Sequence, residues 1–375
     1  MNTIRGFSAP VFGFLIAVFG IKNFGKDSWG IVINAMLWIF FIAFSLGWGN
    51  RSHLVRKYSR EPSKIAHSFY SNFFSRSLLL PVALLLFFFF PYEIAIKCIL
   101  LVVLMHTYTA LDSLVVYHQK FGPQFLGELI AFTIVFAGLF WVENFDLSTF
   151  LLLYCISFTT KITVVLISLQ LWKESFSFQL SLSEFKDGFW FFAIGFSGWI
   201  FSKIDIYIVD FYLPKAQLSE YQLLITAFLM LQSVSGYIVL PFQKHMYRSS
   251  PDLLKNIQKK LNIAAIPLCI LGGFGIWIIM ELFVSLNLPL SYYILGVFIA
   301  IPSFFYSMNI MELMKNNNEQ KIIYLNLIGF GINFMSIVFL IKTYGVFGVL
   351  VSVCITQWII LLLFKLKFKN KKPLA

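Results

Sequence analysis

The chain has 375 residues and a net charge of +12 from 29 Lys and Arg against 17 Asp and Glu, yet only 12% of it is charged while 59% is hydrophobic. Soluble domains carry about 25% charged residues, so the polar surface needed to cover a water-soluble core is missing. Cytosolic catalytic domains and nucleic-acid binding are excluded despite the basic pI of 9.4, and the mean hydropathy of +0.81 points to an integral membrane protein.

A helix crossing the hydrocarbon needs about 20 largely apolar residues. Taken in chain order, the apolar runs predict twelve spans. The first six cover 6–22, 29–48, 73–90, 92–117, 124–142 and 147–172; the second six cover 188–212, 221–242, 262–283, 289–310, 321–341 and 345–366. Runs this long and uniformly apolar do not alternate like barrel strands, and lipid offers backbone groups no outside partner, so the expected fold is all-α and polytopic. Val11 to Ile21 leads into Lys22 and Lys26 with no small-residue cleavage site, and the N-terminus is read as a retained cytoplasmic start.

With that start inside, 22 of the 29 basic residues fall on the cytoplasmic side, four outside (Lys22, Lys26, Lys215 and Lys342) and three within spans (Lys97, Lys161 and Lys203). This asymmetry predicts both termini in the cytoplasm. The outer loops are too short for a folded external domain. Cys98, Cys155, Cys269 and Cys354 lie in apolar runs without the spacing of a zinc or redox site and read as reduced core residues. No metal site, cofactor or enzyme activity is expected, and no Gly-x-x-x-x-Gly-Lys-Ser/Thr loop for ATP occurs.

A shift of 192 residues aligns the end of span 2, His53-Leu54-Val55-Arg56, with the end of span 8, His245-Met246-Tyr247-Arg248. The shift also places Trp29 on Tyr221. Six spans per half puts each half's start on the cytoplasmic side, so the expected relation is a pseudo-two-fold along the membrane normal. The expected divisions are an N-terminal bundle at 1–172, a cytoplasmic linker at 173–187, a C-terminal bundle at 188–366 and a basic tail at 367–375.

Ionisable residues within the spans carry the functional expectations, since each costs about 2.5–3.5 kcal/mol at a helix centre. Lys161 lies mid-span, too deep to snorkel, and either faces a water-filled cavity or pairs with an interior carboxylate, Asp112 or Asp205. Lys203 and Asp205, two positions apart, sit about 200° apart on a helix and need different partners. Lys203 is assigned to substrate or to a structural network; Asp205 to a coupling ion or another helix. Lys97 is a third cavity cation or a snorkelling lysine, and Asp112 serves charge balance or proton coupling. At the cytoplasmic openings Arg51, Arg56, Lys244 and Arg248 gather an anionic headgroup or simply set topology against membrane lipids.

The order of features resembles the O-antigen or polysaccharide-repeat-unit flippases of the multidrug/oligosaccharidyl-lipid/polysaccharide (MOP) exporter superfamily. The resemblance covers nearly the whole chain. It rests on Phe24-Gly25-Lys26-Asp27-Ser28-Trp29-Gly30 entering span 2, Ser45-Leu46-Gly47-Trp48-Gly49-Asn50 leaving it, Ser202-Lys203-Ile204-Asp205 in span 7, and Ser219-Glu220-Tyr221 entering span 8. The chain departs from the family pattern at Ile206, where a basic residue is common, and at Ser219 and Glu220, where a glycine is expected.

The resemblance implies two six-helix bundles around a central cavity. It also implies movement of an undecaprenyl-diphosphate-linked oligosaccharide to the outer leaflet of a bacterial inner membrane, with polysaccharide polymerase machinery as a partner. A proton or sodium counter-ion would drive transport through an intramembrane acid. The alternatives are a multidrug or small-solute exporter of the same superfamily, which would favour an acidic aromatic cavity, and a non-transporting scaffold with all intramembrane charges paired in a dry interior.

Overall fold

The structure is a computed structural model that describes residues 2–143, 145–173, 176, 178–239, 251–315 and 318–369. It is helical, with no strand among the described residues. The helices are α1 (Asn2–Phe24), α2 (Lys26–Gly47), α3 (Asn50–Arg60), α4 (Ile65–Ser77), α5 (Tyr92–His118), α6 (Phe121–Trp141), α7 (Leu147–Leu169), α8 (Ser183–Tyr212), α9 (Lys215–Val239), α10 (Pro251–Ile278), α11 (Leu290–Lys315) and α12 (Glu319–Lys369). Among the described residues nine helical stretches are long and apolar enough to cross a membrane, one of them, Gln320–Leu366, long enough to do so twice. The shorter apolar stretch Ser8–Phe24 of α1 and the 25-residue α9 complete the twelve expected spans.

Local chemistry sets the helix ends. Gly25, at φ 86°, ends α1 in the left-handed region and lets α2 begin one residue later. Gly345 divides α12 into two spans. Its φ of 55° with ψ of −137° is a conformation essentially confined to glycine, and the break falls between spans 11 and 12 as read from hydropathy.

Span 3 departs from a single α-helix over 73–90. The α-helix α4 stops at Ser77, and Leu80–Phe88 continues as a 3₁₀ helix. Pro81 is the reason, because it lacks an N–H and its ring collides with the carbonyl four residues earlier. α3 is a further addition, a short amphipathic helix in what hydropathy alone reads as a loop. Leu54 and Tyr58, four apart, are fully buried on one face, and Arg56 and Arg60 are exposed on the other.

The chain falls into two compact units, residues 1–12 with 31–196, and residues 13–30 with 197–375. In the first unit Leu54, Tyr58 and Phe69 pack with Ala110, Leu111 and Leu114 of α5 and Val165 of α7. In the second, Ala265 and Cys269 of α10 meet Ala300 and Phe304 of α11, while Tyr306 and Leu313 meet Ile322, Leu325, Ile360 and Phe364 of α12. Residues 13–30 group with the second unit through the Lys26 Nζ to Glu220 Oε1 ion pair of 2.6 Å and the Ser219 hydroxyl, which donates to the Lys26 carbonyl at 2.8 Å. The four cysteines are free thiols, and Cys98, Cys155 and Cys269 are buried.

Gly345→Ala should lower stability by about 1–3 kcal/mol through backbone strain alone. The measurement is thermal unfolding of the detergent-purified chain. Gly331→Ala, inside the helix and with nothing within 4 Å of a new methyl, should not lower the Tm.

Candidate functional site

The first unit assembles a line of polar side chains from helical spacing. Tyr108 and Asp112 lie four apart on α5, and Gln124 and Glu128 four apart on α6, so each pair shares a face. Gln124 Nε2 donates to Asp112 Oδ1 at 3.0 Å and to Tyr108 Oη at 3.2 Å, and Tyr108 donates to Glu128 Oε1 at 2.7 Å. Lys161 of α7 closes one end with Nζ 2.8 Å from Glu128 Oε2 and 4.6 Å from the centre of the Phe158 ring. Arg51 closes the other with Nε 3.3 Å from Asp112 Oδ2.

Lys161 therefore has an interior carboxylate partner, and it is Glu128 rather than Asp112 or Asp205. The Lys161 and Glu128 side chains are 15% and 10% exposed, so solvent screens the pair little. Glu128 lies inside predicted span 5 and escaped the inventory of intramembrane charges. Its signal was the polar pair Gln124 and Glu128 at helical spacing in an otherwise apolar run. Along the line two cations, Arg51 and Lys161, stand against two acids, Asp112 and Glu128.

Lys97 near the start of α5 donates from Nζ to the hydroxyl of Ser148 at the start of α7. Asp146, which caps α7 by accepting from the Thr149 amide at 2.7 Å, contributes an attractive charge interaction with Lys97. Lys97 is thus held at a helix end. Arg56 is exposed on α3. Lys244 and Arg248 lie outside the described residues.

A second cluster, absent from the sequence expectations, holds the head of α8. Glu184 accepts from Lys57 Nζ at 2.5 Å and Asn72 Nδ2 at 2.9 Å, and lies 3.1 Å from His53 Nε2. Asn72 in turn accepts from Arg76 Nε at 2.8 Å, and Arg76 Nη1 donates to the carbonyls of Leu46 and Gly47 at 3.2 Å. Arg76 is 1% exposed, a buried structural cation where the basic-residue count treats it as a topology residue. His53 with Lys57 and Asn72 with Arg76 are again spaced by four. That spacing was legible; their shared partner more than 100 residues on was not.

In the second unit Asp205 is 4% exposed and accepts a hydrogen bond from the Tyr221 hydroxyl through Oδ2. Its Oδ1 is buried without a hydrogen-bond partner, as are Asn333 Oδ1 and Gln232 Oε1. These three residues line one cavity of about 100 Å³ together with Tyr306, Thr356 and Gln357. Lys203 forms no ion pair with Asp205 within 4 Å, in keeping with their separation on the helix, and contributes only a longer-range attraction. Asp210, near the end of α8, pairs with Lys215 at 2.5 Å. Among the described residues no group of three or more His, Cys, Asp or Glu is gathered as a metal cluster. The Asp205 cavity instead offers one carboxylate among neutral oxygens, a donor set of the hard, oxygen-only kind.

Lys161→Met should cost about 3–5 kcal/mol of stability by leaving the Glu128 charge buried and unpaired. The double change Lys161→Met with Glu128→Gln should cost clearly less than the sum of the two single changes. Unfolding of the four proteins in one detergent measures the coupling, and additivity would mean that the pair contributes nothing.

No protein-family model and no curated protein matches the sequence. Solved structures do match the fold. The chain is similar to the lipid II flippase MurJ in an inward closed conformation, with a TM-score of 0.74 at 17% identity over 98% of this chain and 87% of that one. It is also similar to the eukaryotic MATE transporter AtDTX14, with a TM-score of 0.68 at 13% identity over 99% and 94% of the two chains. An inward-facing multidrug resistance MATE transporter of the MOP superfamily gives 0.55 at 11% identity over 96% and 93%. The fold of this chain is the one that MurJ and the MATE transporters share.

Proposed function

We propose that this protein is a flippase that moves an undecaprenyl-diphosphate-linked oligosaccharide from the inner to the outer leaflet of the bacterial cytoplasmic membrane. The observation that carries the reading is the match of 98% of the chain to the fold of a lipid II flippase, combined with three lysines set within spans. A sugar diphosphate crossing hydrocarbon unassisted would desolvate many polar groups at several kcal/mol each, so a polar, cationic route is required. Alternating access between two six-span halves, related by the internal repeat, supplies that route without ever opening a continuous pore.

In this reading Lys161 and Lys203 meet the diphosphate, and Lys97 receives it at the outer end. Arg51, Arg56, Lys244 and Arg248 gather the headgroup at the cytoplasmic entrance. Lys161 is held by Glu128 until an anionic substrate competes for it, which makes the 2.8 Å pair a substrate-released contact. Asp205 is the coupling residue. Its bare Oδ1, with Asn333 and Gln232 oxygens around the same cavity, suits a transported proton or sodium ion. Asp112, already paired with Arg51, serves charge balance. Polysaccharide polymerase machinery would take the product.

The multidrug exporter is the second reading, favoured by the MATE likeness. The scaffold reading calls for a dry interior with every charge paired, and the unpartnered Asp205 oxygen in a polar cavity argues against it.

Proteoliposomes carrying a fluorescent prenyl-diphosphate-linked oligosaccharide test the proposal, with organic-cation efflux measured in parallel. Leaflet transfer should fall at least about tenfold, the equivalent of 1.4 kcal/mol, in folded Lys161→Ala and Lys203→Ala proteins. Cation efflux without lipid transfer would move the assignment to the drug exporter. Asp205→Asn should abolish the response to an imposed proton or sodium gradient while downhill transfer persists; a gradient response equal to wild type would remove Asp205 from coupling.

A further inference from the structure

A pocket of about 490 Å³ opens at the end of the first unit where α5 and α7 stop and α4 and α6 begin. Lys64, His67, His118 and Lys120 line it, together with Ser168 and Gln170, over an apolar floor that includes Leu114. Four basic side chains drawn from two separate chain segments, Lys64 and His67 from one and His118 and Lys120 from the other, thus converge on one cavity. Beside the pocket Glu61 Oε2 lies 3.2 Å from Lys64 Nζ, with both side chains well exposed. Such a surface pair neutralises little of the local field.

The position of the two lysines sharpens the point. Lys64 is the N-cap of α4 and Lys120 the N-cap of α6, and neither helix start has a side-chain cap. Ser, Thr, Asp and Asn are the favoured N-caps, and the positive end of a helix dipole disfavours a cation there. At the opposite helix ends the chain does the reverse. Gln119 and Gln170, both in the left-handed region, close α5 and α7, and the amides of Gln119, Lys120 and Gln170 satisfy the last carbonyls. The ends of α5 and α7 at this pocket thus have these carbonyls occupied by backbone amides, while the four basic side chains stay on its wall, an arrangement that a bound anion would relieve.

We propose that this pocket binds a phosphate-bearing anion, held by Lys64 and Lys120 with His67 and His118 as further donors. The basic-residue count puts this end of the unit on the cytoplasmic side, where the phosphate can belong to an anionic lipid headgroup at the bilayer surface or to a soluble phosphate compound. The inference is independent of the transported substrate.

The test uses the full-length protein in nanodiscs. In zwitterionic phosphatidylcholine discs, calorimetric titration with inorganic pyrophosphate reads the soluble source. In discs containing phosphatidylglycerol, native mass spectrometry of retained lipid reads the headgroup source. Lys64→Gln with Lys120→Gln removes two exposed charges from the pocket, and Lys259→Gln with Lys260→Gln removes two exposed charges elsewhere on the same side. Saturable binding in either arm, weakened at least about tenfold by the pocket pair and unchanged by the control pair, supports the site and identifies its source. Equal weakening by both pairs, or no saturable binding in either arm, overturns it.

Discussion

Hydrocarbon offers no hydrogen-bond partner, and the structure follows from that absence. Backbone groups are satisfied inside helices, and side-chain groups inside the bundle must find each other. The line from Arg51 through Asp112, Gln124, Tyr108 and Glu128 to Lys161 is the clearest consequence in the first unit. Every charged member has an opposite charge in reach, and for Lys161 and Glu128, both little exposed, an isolated charge would cost more than the helix could return.

The second unit solves the same problem incompletely. Tyr221 satisfies one oxygen of Asp205, and the other faces a small polar cavity without a partner, beside unpartnered oxygens of Gln232 and Asn333. Unsatisfied buried polar atoms are few in native interiors, and three of them surround this one cavity. The two units thus differ: the line in the first pairs its charges, and the cavity in the second leaves three oxygens without a hydrogen-bond partner.

Glu184 fastens the head of α8 to two other helices. The head of α8 is tied to α3 through His53 and Lys57 and to α4 through Asn72, with the buried Arg76 guanidinium behind it. Removing a partner from such a network exposes the full desolvation cost of the remaining ones, so it acts as a single fastening rather than as separate bonds. Arg76 shows the limit of counting basic residues by side: the count predicts topology, but a single arginine can leave the surface and become core.

Much of this was legible in the residues. Apolar run length indicated the twelve spans and Gly25 stood in the turn into span 2, whereas the break that Pro81 makes was read over as one span of 73–90. The intramembrane Lys161, Lys203 and Asp205 were conspicuous because each sits in a run that lipid would otherwise occupy. Glu128 was overlooked although its i, i+4 partner Gln124 was on the page. The Glu184 cluster and the Asp205 cavity were not legible, since Glu184 lies more than 100 residues from its partners and the cavity draws on α8, α9, α11 and α12. The sequence by itself determined the apolar spans and the sign of the net charge, because those follow from local hydropathy and from composition, while α3 and the break in span 3 came only with the structure. Only the tertiary structure decided that Lys161 meets Glu128 and that Asp205 keeps one oxygen bare, because charge pairing depends on how helix faces are rotated against each other, and several acids were chemically equal candidates.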